Sequence, residues 1–459
     1  MRNVNSFRED PRWADTDMSP QSRKITQRAR IVDGMVAAAN RRSYAGANVS
    51  EVIAEAGVSR PTFYEYFTDR DDCFRATIEE LGSGLLAQIS GAVEKALPQD
   101  ALAVAVTELV SFATTSSSRA RFLTAEALTG SRSALDARDA AVRAVADAVA
   151  KRERDASSGE ALPDVDAAVV IGAAFRLLAR RLRRGGLSLA GIEERLAEWV
   201  RSYRRAQPRR WVRLAAGPVF ARSAFVPDVP VQQMPDVLPP GRPRLAEEQI
   251  AENHRLRILY AAARLSSEQG YLATTVAQIT RLAGVDGRVF YRHFADKQEA
   301  VAAAHELGFQ QVIDVTGRAF FSVQGWPQRS WEAGRALTGL LEENPIVARV
   351  GFVEAYAIGA PTVQRIEDSH MAFMFFLQEG LLSAGVEPTP SREAMEAIID
   401  AIFEIVYVRA RASEKPQLAE VLAPIMQIWL TPFLGSVATE KFIERQTPSR
   451  SRRSEPSSG

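Results

Sequence analysis

The sequence predicts an all-α protein made of two tandem copies of one helical module, and three observations carry that prediction. The first is a repeat. The run Ala56-Gly57-Val58-Ser59-Arg60-Pro61-Thr62-Phe63-Tyr64-Glu65-Tyr66-Phe67 returns as Ala283-Gly284-Val285-Asp286-Gly287-Arg288-Val289-Phe290-Tyr291-Arg292-His293-Phe294, 227 positions later (284 − 57). The same offset aligns Ile31 with Ile258, Tyr44 with Tyr271, and Asp69-Arg70 with Asp296-Lys297. The second is periodicity: Val49, Val52, Ile53 and Ala56 recur at i, i+3, i+4 and i+7, and Val276, Ile279 and Ala283 repeat most of that helical face. The third is punctuation. Between Asp72 and Gln207 the pattern stays helical, with breaks at Pro98, Ser116 to Ser118, Gly130, Ser157 to Pro163 and Gly185-Gly186. About six helices are therefore expected after the first three.

Each repeated run reads as a helix, a tight turn and a second helix. Gly57 and Gly284 fall where the first helix ends and the left-handed backbone favours glycine. Val58 and Val285 plug the core beneath the turn. Ser59 and Asp286 offer side-chain oxygens to cap the next helix, and Pro61 is tolerated in its first turn because no intrahelical acceptor waits for its missing N–H. Phe63 with Phe67, and Phe290 with Phe294, are i, i+4 pairs that face inward. Tyr64, Tyr66, Tyr291 and His293 are left on other faces.

The signature Gly-Val-Ser-x-x-Thr-Phe-Tyr-x-Tyr-Phe-x-Asp-Arg, with Arg30-Ile31 and Tyr44 upstream, resembles the DNA-binding segment of the TetR family of bacterial transcriptional regulators. The second copy resembles it through Arg257-Ile258-Leu259, Ala261 to Ala263 and Gly270-Tyr271. The resemblance covers about 50 residues per copy. It implies a three-helix DNA-binding part, a variable helical part for ligand and dimerisation, and a second helix that enters the major groove. By that match Ser59, Arg60, Pro61, Thr62, Tyr64, Tyr66 and Arg70 lie on or near double-stranded DNA. Thr62 and Tyr64 would bond phosphates or base edges, and Arg70 would neutralise a phosphate. Arg60 is the expected base reader, since a guanidinium spans guanine O6 and N7. In module two the corresponding set is Arg288, Tyr291, Arg292, His293 and Lys297. That copy departs from the pattern: Val289 replaces a hydroxyl, Asp286 adds negative charge, and Arg288 stands where the family keeps a small residue.

At 459 residues the chain exceeds one ordinary core. Its formal net charge is only +1, so affinity for DNA has to come from local basic surface. Cys73 is the single cysteine, which excludes an intrachain disulfide and suits a reducing cytoplasm. No apolar run approaches the ~20 residues of a membrane span, and no signal-peptide core stands at the start. His254, His293, His305 and His370 lack metal-ligand spacing, and neither a phosphate-cradling loop nor a nucleophile elbow is present. Neither a cofactor nor an enzymatic activity is expected, and the carboxylates read as solvated helix faces.

In chain order, residues 1–23 read as a disordered basic tail or as an arm along DNA. Residues 24–71 are the first helix-turn-helix domain and 72–206 its helical regulatory domain. Residues 207–244 form a proline-rich connector whose Trp211, Phe220 and Phe225 argue for docking, and which ends in the basic Gly241-Arg242-Pro243-Arg244. The second pair of domains spans 245–298 and 299–436, and 437–459 reads as a disordered tail. Val165 to Tyr203 and Arg392 to Leu434 supply the last two helices of each module, so a four-helix seam joining the modules as an intramolecular pseudo-dimer is expected. The regulatory helices of module two are rich in aromatic and methionine residues, whereas those of module one are mostly alanine, leucine and valine. A small apolar or aromatic ligand is therefore expected against Trp331, Phe352, Tyr356, His370, Phe373 and Met374. Two alternatives stand beside a monomeric, ligand-released repressor with no membrane partner: a homodimer presenting four helix-turn-helix units, and an interaction protein with only one functional unit.

Overall fold

Side-chain caps open several of the helices in the computed structural model, which describes residues 20–156, 162–183, 188–205, 233–238, 246–382, 389–413 and 416–447. Module one opens with α1 (Pro20–Gly46), α2 (Val49–Ala56) and α3 (Arg60–Tyr66). It continues through α4 (Arg70–Val93), α5 (Ala101–Thr115), α6 (Ser117–Arg121), α7 (Arg132–Glu153), α8 (Ala167–Arg183) and α9 (Ile192–Arg201). Asn48, Ser59, Asp69 and Ser131 each accept a backbone N–H in the first turn of the helix they precede.

Module two repeats the order with α10 (Glu247–Gln269), α11 (Val276–Ala283), α12 (Gly287–His293) and α13 (Lys297–Phe321). After these come α14 (Trp326–Glu343), α15 (Pro345–Arg349), α16 (Ala355–Ile358), α17 (Ala360–Leu381), α18 (Arg392–Ala412), α19 (Leu422–Leu434) and α20 (Ser436–Gln446). A single π-helical turn recurs in both modules, at Phe122–Glu126 and Val350–Glu354, 228 positions apart (350 − 122). Helices α7 and α17 start with the same offset (360 − 132).

Two boundaries differ from the sequence reading. Helix α1 starts at Pro20, and residues 1–19 lie outside the described part. Residues 437–446 are not a disordered tail: α20 buries Thr439, Phe442 and Ile443, and Phe442 meets the Trp331 ring edge-on at 6.2 Å. The Ser, Arg and Pro composition that suggested disorder begins only after this apolar stripe. Within this all-α fold, a two-residue ladder pairs Leu162–Pro163 antiparallel with Arg204–Arg205, clipping together the two ends of the α8–α9 hairpin. Most of the connector, including Trp211, Phe220, Phe225 and Gly241 to Arg244, lies outside the described residues. Residues 233–238 are described and lie against α10, where Asn253 donates to the Asp236 carbonyl at 3.2 Å and Arg257 to that of Pro235.

The two modules meet where α8 packs along α18. Helix α9 also touches α18, and Tyr203, just beyond α9, donates to the Ile428 carbonyl of α19 at 2.9 Å. The expected four-helix seam is thus present, with α7 as an additional contributor. Its centre is ionic. Glu404 of α18, 2% exposed, accepts from Arg138 of α7 at 2.7 Å and from Arg176 of α8 at 2.6 Å. Asp400 accepts from Arg180 at 2.9 Å, Glu396 from Arg181 at 2.9 Å, and Tyr407 donates to Asp139 at 3.0 Å. These carboxylates are not solvated helix faces, as periodicity suggested. Burial alone would raise the Glu404 pKa, but the two guanidinium groups outweigh it and hold the carboxyl below its usual value. Arg180 with Arg181, and Arg180 with His370, do the same for Glu396 and Asp400 against their burial.

Candidate nucleic-acid interface

The helix-turn-helix of each module is set by matching contacts. Gly57 and Gly284 take φ of 59° and 65°, the left-handed turn that glycine enters without strain. Arg30 donates to the Ala56 carbonyl at 3.0 Å, and its counterpart Arg257 to that of Ala283 at 2.7 Å, which satisfies the end of α2 and of α11. Ser59 and Asp286 cap α3 and α12 by accepting from Thr62 N at 3.2 Å and Val289 N at 2.8 Å. Phe63, Phe67, Phe290 and Phe294 are buried as the i, i+4 pattern required.

On the outer face of α3, Arg60 and Pro61 are exposed, and Tyr64 is 49% exposed. The Arg60 guanidinium donates to Ser50 Oγ at 2.8 Å, and Ser59 and Thr62 hydroxyls are 2.8 Å apart. On α12, Arg288, Arg292 and Tyr291, the last 62% exposed, occupy the corresponding face. Asp286 is held as a helix cap. His293 is half-buried; burial first, then His254 and the nearby arginines Arg292 and Arg255, lower its pKa.

Three of the expected contact residues have partners within the protein. Arg70 lies with its guanidinium 4.1 Å from the Tyr44 ring centre and donates to the Tyr44 carbonyl at 3.3 Å. Lys297 stands 4.5 Å over the Tyr271 ring and donates to the carbonyls of Tyr271 at 3.0 Å and Thr274 at 2.8 Å. Both cations therefore clamp the turn that closes the first helix of their module, because that turn leaves carbonyls without intrahelical donors. Tyr66 is tied back to α1, its hydroxyl donating to Gln27 at 3.2 Å.

The aromatic richness of module two does frame a cavity, but with a different lining. Phe320 of α13, Leu337 of α14, Phe352, Phe373 and Phe376, Ile402 and Phe403 of α18, and Trp429 of α19 surround it, and its volume is about 30 Å³. Of the six expected residues only Phe352 and Phe373 line it. Trp331 lies under α20, and the Tyr356 hydroxyl accepts from Arg176 in the seam at 3.3 Å. His370 is turned onto Asp400 at 2.8 Å, and Met374 is buried outside the lining. Met371 and Phe375 are exposed. One helical step separates Phe373 from Met374, about 100° of rotation, so a run of apolar residues cannot all face one space. Two polar side chains reach the cavity wall. Ser330 accepts from Trp429 Nε1 at 3.0 Å, whereas the buried Thr316 hydroxyl has no hydrogen-bond partner among the described residues.

The seam residues Arg138, Arg176, Arg180, Glu396, Asp400 and Glu404 were not singled out by the sequence reading. The signal was present: carboxylates at i, i+4 and i+8 in the otherwise apolar Ala394–Val408, facing an α8 that carries arginines and no acid.

Each module thus carries a helix-turn-helix unit on a helical body. The family model described as "Bacterial regulatory proteins, tetR family" matches residues 31–77 and 258–304. The HTH-type transcriptional regulator HbdR of Aromatoleum sp. (strain CIB) is 40% identical over 55 residues, which cover 12% of this chain and 24% of that one. The fatty acid degradation regulator FadR of Bacillus halodurans is 18% identical, with 38% of this chain and 94% of that chain covered and a TM-score of 0.35. FadR of Bacillus subtilis in complex with stearoyl-CoA is 19% identical, over 39% of this chain and 98% of that chain, with a TM-score of 0.33. The N-terminal unit of the tetR family of bacterial regulatory proteins is thus matched twice in this chain, and the curated relative is spanned over about a quarter of its length.

Proposed function

We propose that this chain is a transcriptional repressor that binds double-stranded DNA in the cytoplasm through two unlike recognition helices, α3 and α12, and is released by a small apolar ligand held in module two. The observation that carries the reading is the α8–α18 seam, which joins two helix-turn-helix modules of a single polypeptide. Covalent linkage replaces a concentration-dependent encounter with a high effective concentration. Arg60, Pro61, Thr62 and Tyr64 would read or grip one half-site, and Arg288, Tyr291 and Arg292 the other. The exposed cations and tyrosine on α12 favour two working units over one. Since Asp286 is engaged as a cap, its charge is partly answered by the N-terminal end of α12.

The cavity suggests how release works. Its 30 Å³ holds about two waters at 10–15 Å³ each, so a ligand with an acyl chain or a ring has to part the helices around it. Helix α18 forms one wall through Ile399, Ile402 and Phe403 and carries Glu396, Asp400 and Glu404 to module one on another face. Displacing α18 therefore shifts module one relative to module two, and a spacing that fits DNA is lost. The unpartnered Thr316 hydroxyl favours a ligand that carries one hydrogen-bonding group on an apolar body.

Selection of sites from random DNA by the full chain, followed by footprinting, tests the reading. The expected site has two different half-sites about one helical turn, ~34–36 Å, apart, bound by one chain mass in light scattering. Protection of one half-site only, or a two-chain complex on four half-sites, would sink it. Medium- and long-chain fatty acids are suitable first probes of release, with Thr316→Val expected to weaken those that bind.

A further inference from the structure

The seam has a polarity that a joint between like halves would lack. Helix α8 carries Arg176, Arg180, Arg181 and Arg183 and no carboxylate, and α7 adds the buried Arg138. Opposite them, α18 presents Glu393, Glu396, Asp400 and Glu404 with no cation between Glu393 and Glu404. Along α8 and around Glu404, module one brings the positive partners and module two the negative ones; at the far end Arg411 of α18 reverses the sense by pairing with Asp136 and Asp139 of α7.

Register sharpens this. The offset of 228 that relates the π turns and the starts of α7 and α17 also relates Arg176 to Glu404 (404 − 176). In a two-fold pairing a residue near the axis meets its own copy. Here that position holds an arginine in one module and a glutamate in the other, bonded at 2.6 Å. The fit is also steric. A Cβ at Gly172 would stand 2.4 Å from Glu404 Cγ, so the glutamate occupies a slot that only glycine leaves open. The position of module two at the same offset is Asp400, which offers no slot.

We propose that the seam is a pairing code: module one accepts module two and rejects another module one, and module two likewise rejects its own kind. Pairing two copies of module one would bury Arg138 and Arg176 against the same residues, with Asp139 beside Arg138 as the nearby acid and no carboxylate from α8 to replace Glu404. Pairing two copies of module two would bury Glu404 against Glu404 and against the side chain of Asp400. Repulsion and desolvation of unpaired buried charge both oppose such pairs. The chain is thereby kept from forming four-headed dimers through these faces and from pairing with symmetric relatives.

The inference rests on the reading of a paired two-module unit, and its test reads mass, so that a failure of DNA binding does not affect it. A specific protease site is placed within residues 206–232 of the full chain, and the folded protein is cut and examined by native mass spectrometry at micromolar concentration. Two cut preparations, one isotopically labelled, are then mixed. The expected result is a 1:1 complex of unlike halves, with exchange of partners only between module one and module two. Like pairs, or separated halves in the unchanged protein, would overturn the code. In Glu404→Arg the unlike pair should weaken roughly 100- to 1,000-fold, and Glu404→Gln less. Circular dichroism of the uncut variants checks that both modules remain helical. Unlike pairs that persist undiminished in folded Glu404→Arg would equally overturn it.

Discussion

The two helix-turn-helix units share their backbone devices and differ in what they offer to solvent. Arg30 and Arg257, Gly57 and Gly284, Phe63 and Phe290, and Arg70 and Lys297 do the same work at the same positions. On the outer face, Arg60, Pro61 and Thr62 stand opposite Gly287, Arg288 and Val289. Positions that close a turn or fill a core are held by sterics and by carbonyls that need donors, whereas an exposed position answers only to what it touches. Two copies in one chain can therefore share a scaffold and recognise different surfaces.

The largest effect that would break this comparison is in the two cores. Phe63→Ala and Phe290→Ala remove fully buried rings and should each cost about 3–5 kcal/mol. Hydrogen exchange in urea, read separately for each unit, should find the two losses within about 1 kcal/mol of each other. A much smaller loss in module two would mean that its unit is loosely packed and not an equivalent scaffold.

The outer faces should separate where the cores agree. Arg60→Ala is expected to cost ~1–3 kcal/mol of DNA affinity and to relax preference at one base pair of one half-site. Arg288→Ala should act on the other half-site alone. Quantitative binding to sites varied at single positions measures both. Equal loss on every sequence would assign the arginine to a phosphate.

Much of this architecture was legible in the residues. The repeat, the turn glycines, the caps and the inward phenylalanines follow from spacing and backbone chemistry, and so do α8, α9, α18 and α19, whereas α20 reads in the sequence as part of a disordered tail. Arg70 and Lys297 also hold carbonyls of a turn 26 residues earlier, a role that a cation beside a helix-turn-helix does not disclose in the sequence. Only two of the six expected residues line the cavity, for a related reason. Composition marks a region as aromatic, but which ring faces the cavity depends on the rotation of each helix. The ionic seam needed the pairing of α8 with α18, which neither helix reveals alone.

A smaller difference lies at the turn before Tyr44 and Tyr271. Gly270 takes φ of 90° there, and its counterpart Ser43 is held at φ 57° and ψ 178°, a region that side chains avoid. Ser43→Gly should therefore stabilise module one by about 1 kcal/mol, and Gly270→Ser should destabilise module two by a similar amount. Thermal unfolding of both variants checks the pair; a loss in Ser43→Gly would mean that the serine makes a compensating contact.

The smallest expected effect concerns the far end of α7, where module one has Glu153 and module two, 228 positions on, has Leu381 (381 − 153). Both are half-buried, and Leu381 packs on the core. Burial pushes the Glu153 carboxyl up to about 7. The folded chain therefore holds a proton there that the unfolded chain, with an ordinary glutamate, gives up near pH 4.5. Stability from this site is greatest below pH 4.5, declines as the pH rises toward 7, and changes no further above that. Glu153→Leu makes module one resemble module two and removes the decline. Its gain over the parent should grow between pH 4.5 and 7 and level off at roughly 1 kcal/mol, well under the full shift because the side chain keeps partial contact with water. Urea unfolding across that pH range measures it. A gain that is the same at pH 4.5 and at pH 7.5 would mean that packing, and not the carboxyl's charge, distinguishes the two positions.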